Sequence, residues 1–297
     1  MPLTTKSTRN RVASRLAVLA ALVVFAGCGA GSDTRGQSAP SARSSRPDVS
    51  PTPAVVHSES RPRLRQPRLR VVGQFTTHYP CCQPRVTNIK RAVQILDGQT
   101  IRAGASFSLN DALGERTTER GFVAAPMIVG GSFVDSVGGG ISQVATTLYN
   151  AAFFAGLDLV EHTPHSIYIS RYPMGREATI SWGGPELVFR SDWKAPIRIA
   201  ARATTTFIRI RLLSLPLGRR VVTKTAPPYS YVAPRTIYIQ SPDIPPGTQR
   251  VLQSAGSPGF DVTYTRRVYA WSTLIRSETF HARYQPQNAI IAVGASS

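Results

Sequence analysis

The sequence predicts an α+β fold with few helices, and three features of its patterning carry that prediction. Segments 86–96 and 141–156 place apolar residues at helical spacing. Segments 186–190, 197–202 and 207–212 alternate apolar with polar or basic residues, as antiparallel strands with one solvated face do. The 23 prolines and 23 glycines favour turns and linkers over a helical bundle.

The start of the chain predicts export. Residues 1–27 have the pattern of a signal peptide, since a basic start precedes the apolar run Leu16–Ala26, which is short for a membrane span. The run ends in Phe25-Ala26-Gly27-Cys28, which resembles the lipobox of bacterial lipoproteins, although Phe25 departs from the usual aliphatic residue. We expect lipidation at Cys28 and a location on the outer face of the cell membrane. An ordinary secretory signal with an incidental Cys28 is the alternative.

Residues 28–70 are expected to form a disordered tether. They are mainly Ser, Pro, Ala and Arg, which bury too little apolar area to offset the entropy of ordering. Arginines alternate with Pro, Leu and Gln over 61–70, an extended and positively charged segment. It suits either contact with anionic lipid or polymer, or a solvated spacer.

The charge balance favours anionic partners. The formal net charge is +19, from 35 basic and 16 acidic side chains. Because the signal pattern removes the chain from the cytoplasm, nucleic acid is not an expected partner, and an anionic membrane surface and wall polymers remain. A genome-wide excess of arginine is the alternative explanation. Neither a cofactor nor a metal is expected.

Residues 71–214 are predicted to form the first folded domain. Its first helix has Thr87 or Asn88 as a candidate N-cap and ends at Asp97-Gly98, followed by a short strand and turn over 101–107. Its second helix follows three glycines, Gly138–Gly140, and stops at Gly156.

Residues 218–297 are predicted to form a small all-β module. After Gly218 the helical signal disappears, and short strand-like segments remain. These segments are 235–240, 249–253, 260–270 and 276–284.

Five motifs of the first domain, over about residues 73–213, resemble the VanW family. They are Thr87-Asn88-Ile89, GASFSLN from Gly104, Gly121-Phe122, GGGISQVATTLYNAAFFAGL from Gly138 and HTPHSIYISRYPMGREAT from His162. Members of that family are associated with the cell envelope, and the resemblance brings no established activity. The glycine spacing of the second part resembles the G-five domain, whose members are proposed to bind glycans that contain N-acetylglucosamine.

The glycine loop and the helix after it form the candidate site. A helix N-terminus behind a glycine loop favours anions, so we expect a cradle for a peptide carboxylate or phosphate. Its candidate ligand-binding residues are Gly139, Gly140, Ile141, Ser142, Gln143, Arg171 and Arg176. The resemblance adds that many VanW family members carry Cys where this chain has Ser142.

A catalytic interpretation uses the same loop, with Ser142 as nucleophile, His165 or His162 as base and backbone N–H groups as an oxyanion hole. Asp135 or Glu161 would orient the base. We favour binding over catalysis because serine gains less than cysteine from the helix field. A purely structural role is the third interpretation, with glycines in a tight turn and histidines that are internally hydrogen-bonded.

Cys81 and Cys82 are adjacent, and in an oxidising compartment we expect a vicinal disulfide. Free thiols acting as nucleophile or metal ligand are the alternative. Zinc has His78 nearby but lacks an evident fourth ligand. A further hypothesis is that Cys81 or Cys82 occupies, in space, the place of the cysteine that Ser142 replaces.

Aromatic residues of the second part are candidate glycan-stacking faces if they are exposed, and packing within a thin module is the alternative. They are Tyr264, Tyr269, Trp271 and Tyr284. The sequence thus predicts an envelope lipoprotein that binds peptidoglycan or an associated wall polymer. The alternatives are a hydrolase or transpeptidase of peptidoglycan peptides that uses Ser142, Cys81 or Cys82, and a scaffold for other envelope proteins.

Overall fold

The structure is a computed structural model, and it describes residues 68–129 and 132–294. The predicted signal peptide, Cys28 and nearly all of the predicted tether lie outside these residues. No helix within the described ranges has the length and apolar character needed to cross a membrane.

Helices are few and strands dominate, which confirms the predicted α+β class. The helices are α1 (Arg85–Leu96), α2 (Leu109–Leu113) and α3 (Ile141–Phe154). The strands up to residue 214 are β1 (Arg70–His78), β2 (Thr100–Ile101), β3 (Ser106–Ser108), β4 (Ala124–Val129), β5 (Ser132–Val137), β6 (Asp158–Glu161), β7 (Val188–Arg190), β8 (Ile197–Ala203) and β9 (Phe207–Ser214). Those that follow are β10 (Arg219–Thr225), β11 (Tyr229–Val232), β12 (Thr236–Pro246), β13 (Gln249–Gln253), β14 (Gly259–Ala270), β15 (Thr273–Tyr284) and β16 (Ala289–Gly294).

The main core lies between two helices and an antiparallel sheet of order β1-β9-β8-β2. Helix α3 packs on β1 and β9, and α1 packs on β8 and on α3. Helix α3 is buried almost all round, from Ile141 to Phe153 with only Ser142 partly exposed. A helix that is buried on all sides holds its N-terminal turn in one place, and this turn borders the candidate site.

The predicted start of α1 is wrong by a few residues. The N-cap is Pro84 and the helix begins at Arg85, so neither Thr87 nor Asn88 caps it. Asn88 is fully buried inside the helix, and its side chain bonds two distant backbone segments instead. The predicted end at Asp97-Gly98 is confirmed.

At Gly73, strand β1 lies directly against the backbone of α3, so adding a single methyl group there should have a large effect on stability. A Cβ at Gly73 would collide with the carbonyl oxygen of Ala151 and lie 2.7 Å from the Cβ of Ala155. Because the obstacle is helix backbone, Gly73→Ala should lower the free energy of unfolding by about 1–3 kcal/mol, measured by urea denaturation. Gly184→Ala is the control, since its Cβ would meet only the rotatable hydroxyl of Ser181. Equal stability of Gly73→Ala and wild type would contradict this packing.

Within the described residues from 218 onward there are only strands, as predicted. Strand β14 pairs with β10, β11 and β15, while β16 lies between β12 and β13. The pairing of β12 with β16 is parallel, unlike the other strand pairs described. A small apolar cluster around Phe260 and Tyr284 packs against Tyr168 and Met174. The domain boundary between residues 214 and 218 stays a prediction.

Candidate functional site

The candidate site is a cleft of about 580 Å³ at the N-terminus of α3. It is bordered by the glycine loop, by Arg85 of α1, by the segment 165–172 and by β4. Ser257 and Gln287 from the C-terminal part complete its wall. This volume falls in the range of small-molecule and peptide sites.

The glycine loop is held by its own turn geometry and by α1. Gly138 and Gly140 have φ values of +87° and +92°, a region that glycine enters without steric cost, and Gly140 is the N-cap of α3. Asn88 donates to the carbonyls of Val123 and Gly139, at 2.9 Å each, and accepts from the Val123 N–H at 2.8 Å. The motifs at 87–89 and 138–140 therefore meet in space and fix the entrance of α3.

Only part of the expected backbone cradle is available to a ligand. Gly139 donates its N–H to Ser136 at 3.0 Å, and Ile141 donates to Gly138 at 3.3 Å. The N–H groups of Gly140 and Ser142 have no protein acceptor among the described residues. The N–H groups of Gly140 and Ser142, at the start of α3, therefore remain free to donate to a ligand.

Two guanidinium groups border the cleft, and Arg85 is one that the sequence analysis missed. Its Nη2 donates to Oε1 of Gln143, and its buried Nε has no partner in the part of the chain that the structure describes. Burial lowers the pKa of Arg85, an effect that Tyr172 opposes and that the positive charge of Arg171 reinforces. Arg171 is exposed and lies over the ring of Tyr172, 5.3 Å from its centroid. Among the described residues that line the cleft, there is no Asp or Glu.

Gln143 and Arg176 are placed differently from Arg171. Gln143 is buried and lines the cleft, but its amide donates to Thr77 Oγ1 at 3.1 Å and to the His78 carbonyl at 3.0 Å. It therefore joins β1 to α3 and leaves no amide hydrogen for a ligand. Arg176 does not line the cleft, because its guanidinium lies 5.3 Å from the ring centroids of Phe153 and Phe154.

His165 and Glu177 form a buried pair at the cleft. Nδ1 of His165 is 2.7 Å from Oε2 of Glu177, and the Glu177 side chain is fully buried. Tyr284 donates its hydroxyl to Oε1 of Glu177 at 2.9 Å, and the Gly175 N–H donates to that hydroxyl at 2.6 Å. His165 lines the cleft and stacks on Tyr172 with 5.8 Å between centroids.

Ser142 lines the same cleft, half-buried, and its Oγ accepts from the Ile180 N–H at 3.3 Å. His162 does not line it. Its ring stacks on Tyr149 at 4.2 Å, and burial lowers its pKa to about 4. Asp135 and Glu161 are both exposed, and neither contacts His165. The structure thus brings Ser142 and His165 to one cleft and provides Glu177, not Asp135 or Glu161, as the partner of His165.

Glu177 could not be singled out from residue spacing. It lies twelve residues after His165, and its place within the motif from His162 was the only signal.

The two adjacent cysteines are free thiols at the surface. Their Sγ atoms are 2.7 Å apart, whereas a disulfide joins them at about 2.05 Å, so the expected vicinal bond is not formed in this structure. The hydrogen bond with Cys81 raises the pKa of the Cys82 thiol, which disfavours the nucleophilic thiolate. Neither cysteine lines the cleft, so neither stands in for the residue at 142. Within residues 68–129 and 132–294, no three His, Cys, Asp or Glu side chains are grouped to hold a metal.

The C-terminal aromatic residues divide into buried and exposed. Tyr264 and Tyr284 are 1% and 2% exposed, so the expectation of a stacking face is wrong for both. They are buried because β14 and β15 pack against α3 and the segment around Gly175. The Tyr264 hydroxyl lies 3.0 Å from that of Tyr149 on α3. Tyr269 is half-buried under Arg220, and Trp271 is 77% exposed.

Residues 84–213 match the family described as VanW like protein, which confirms the resemblance of the first domain over those residues. The uncharacterized protein YoaR of Bacillus subtilis (strain 168) is 38% identical over 132 residues. That alignment covers 44% of this chain and 44% of YoaR, so the match spans less than half of the relative's length. A VanW-like domain is consistent with a cell-wall-associated protein.

Two solved G5 domains are also similar to this chain. The G5 domain of IgA1 protease has 20% sequence identity and a TM-score of 0.16, over 27% of this chain and 89% of that one. The G5 domain of HP0197 has 14% identity and a TM-score of 0.15, over 26% and 97%.

Proposed function

We propose that this chain, whose residues 84–213 are VanW-like, is an exported envelope lipoprotein anchored at Cys28 that binds peptidoglycan through the cleft at α3. The cleft would take a free carboxylate of a stem peptide, and the C-terminal part would add contacts to the glycan through Trp271. The signal pattern of residues 1–28 and the basic tether support a location at the outer face of the membrane.

One observation carries the binding proposal: within the described part of the chain, the cleft has two guanidiniums, free N–H groups at a helix start and no acidic side chain. Such a lining is electrostatically complementary to a carboxylate. Arg85 is already oriented by Gln143, so less side-chain entropy is lost when it meets an anion. Arg171 supplies a second charge from the exposed rim.

The test is a titration of the purified full-length protein with a peptidoglycan stem pentapeptide and with its C-terminal amide. We expect the acid to bind more tightly than the amide. Arg171→Gln should weaken binding of the acid about tenfold, since hydrogen bonds to charged groups contribute about 1.5–3 kcal/mol and this one is exposed. Calorimetry at two salt concentrations measures both effects.

Arg102→Gln is the matched control, because Arg102 is an exposed arginine that does not line the cleft. It removes the same charge and should leave the affinity unchanged. Equal binding of acid and amide, or equal losses in the two variants, would show that only the overall positive charge attracts the peptide. Release from purified peptidoglycan at modest salt would point the same way.

A further inference from the structure

We infer that Ser142, His165 and Glu177 form an acyl-transfer centre in this cleft, which acts on an amide of the peptide held there. This inference rests on the proposed function, because the arginines at the cleft would place the substrate. It assigns Ser142 as nucleophile, His165 as general base and Glu177 as the positioning residue of His165.

The buried carboxylate is the first step of the argument. A fully buried Glu177 is costly unless its oxygens are bonded, and His165 Nδ1 and the Tyr284 hydroxyl bond one oxygen each. A carboxylate at Nδ1 places the ring proton there and leaves Nε2 as the acceptor. Glu177 thereby selects the tautomer that a general base requires.

Nε2 of His165 is the second step. It has no protein partner among the described residues. It is also not fully enclosed, since it is absent from the set of enclosed side-chain atoms that lack a partner. Since His165 lines the cleft, Nε2 is open to it. A histidine that serves only packing would be expected to satisfy both nitrogens internally, whereas here one nitrogen is fixed and the other is left to the cleft.

The nucleophile is the third step. The Ser142 Oγ accepts from the Ile180 N–H and donates to no protein group among the described residues, so its proton is available. Ser142 and His165 line one cleft without a direct hydrogen bond in this structure. Such bonds are often long until a substrate is bound.

The oxyanion donors are the fourth step. In the described ranges, the N–H of Ser142 itself and the N–H of Gly140 have no protein acceptor, whereas those of Gly139 and Ile141 are already used. The N–H of a nucleophilic serine together with that of the residue two positions before it is a known arrangement for a tetrahedral intermediate. The glycine loop leaves free the two donors that this chemistry needs.

The step conserves atoms and electrons. Ser142 Oγ attacks the amide carbonyl, and His165 Nε2 takes the hydroxyl proton. The C–N bond breaks as Nε2 passes that proton to the leaving amine, which gives an acyl ester on Ser142. Water then hydrolyses the ester to a carboxylic acid, or a second amine takes the acyl group and releases Ser142.

A fluorescent fluorophosphonate tests the centre without knowledge of the substrate, because it forms an Oγ–P bond with an activated serine and releases fluoride. We expect wild-type full-length protein to be labelled at Ser142, located by peptide mass spectrometry. Ser142→Ala should lose the label, and Ser106→Ala, an exposed serine of β3, should keep it. Glu177→Gln should slow labelling at least about tenfold through the wrong tautomer.

A pH series separates positioning from structure. The wild-type labelling rate should depend on pH, and Glu177→Gln should move the midpoint of that dependence. Thermal unfolding of each variant shows whether it is folded; should Glu177→Gln unfold, Tyr284→Phe, which removes one bond to Glu177, takes its place. No labelling of folded wild-type protein that still binds the stem pentapeptide would overturn the acyl-transfer centre and leave the proposed function standing. Labelling of Ser142 at an unchanged rate and midpoint in folded Glu177→Gln would overturn the role of Glu177.

Discussion

Arg266→Met should lower the free energy of unfolding by about 3 kcal/mol. Arg266 lies on β14, is fully buried, and reaches across to the C-terminal end of α3. Its guanidinium donates to the Phe153 carbonyl at 2.8 and 3.1 Å, to the Leu157 carbonyl at 2.9 Å and to Glu278 at 2.9 Å. Methionine keeps much of the volume but removes all four bonds and leaves Glu278 without its guanidinium partner. The Gly156 N–H and Arg276 still donate to the carbonyls of Phe153 and Leu157.

The last carbonyls of a helix lack intrahelical partners and carry the negative end of its dipole. Arg266 serves the Phe153 carbonyl in the last turn of α3. Arg219 and Arg276 donate to the carbonyls of Gly156 and Leu157, which follow directly after the helix. Asp192 bridges Arg219 and Arg276 at 2.5 and 2.9 Å. Arg266 is the buried member of this group, so its loss should cost more than the loss of either neighbour.

Arg267→Met is the matched control, because Arg267 is the next residue of β14 and is exposed. Urea denaturation of the full-length protein, followed by tryptophan fluorescence, measures both variants. We expect Arg267→Met to stay within about 0.5 kcal/mol of wild type. A similarly small change in Arg266→Met would show that the contacts between β14 and α3 do not stabilise the fold.

Local pattern predicted the two long helices and several of the strands, because those elements are long enough to show their period. The helical spacing of Ile89, Val93 and Leu96 gave α1, and the glycine stop at Gly156 gave the end of α3. The N-cap of α1 was missed because Asn88 uses its side chain for a contact 51 residues away, which local spacing does not reveal.

The site was predicted in outline only, because its pairings are long-range. The sequence placed Ser142 and His165 in one site, and both line one cleft. The partner of His165 is Glu177, fixed by Tyr284 from β15, a strand more than one hundred residues away. Tyr264 was expected at the surface, but its face of β14 is buried. That burial depends on how β14 packs on the preceding part of the chain, which local sequence does not reveal.

A second large effect is expected when the protein is acidified, and it centres on His162. Its imidazole stacks on Tyr149, lies 6.0 Å from the Phe280 ring and has its Nε2 3.4 Å from the Tyr264 hydroxyl. Burial lowers its pKa to about 4 from the ordinary 6.5, and a hydrogen bond with the Gly175 backbone opposes this in part. The folded state thus holds the neutral ring where an unfolded chain would be protonated.

The sign follows from proton linkage. Between about pH 6.5 and pH 4 the unfolded chain binds more protons at this group than the folded one, so stability falls as pH falls through that window. Below about pH 4 both states are protonated and the contribution of His162 is lost. The difference in pKa corresponds to about 3 kcal/mol in the free energy of unfolding.

His162→Phe isolates this contribution, because phenylalanine keeps a ring against Tyr149 and has no proton to bind. Urea denaturation at pH 7, 5.5 and 4 should show a smaller loss of stability with acid for His162→Phe than for wild type. The difference between the two losses should grow from pH 7 to pH 4. His281→Gln, which removes an exposed histidine of β15, should keep the wild-type dependence. If His162→Phe loses stability with acid as steeply as wild type, protonation of His162 is not the cause of the acid sensitivity. The packing of β14 and β15 on α3 would then be independent of pH at this position.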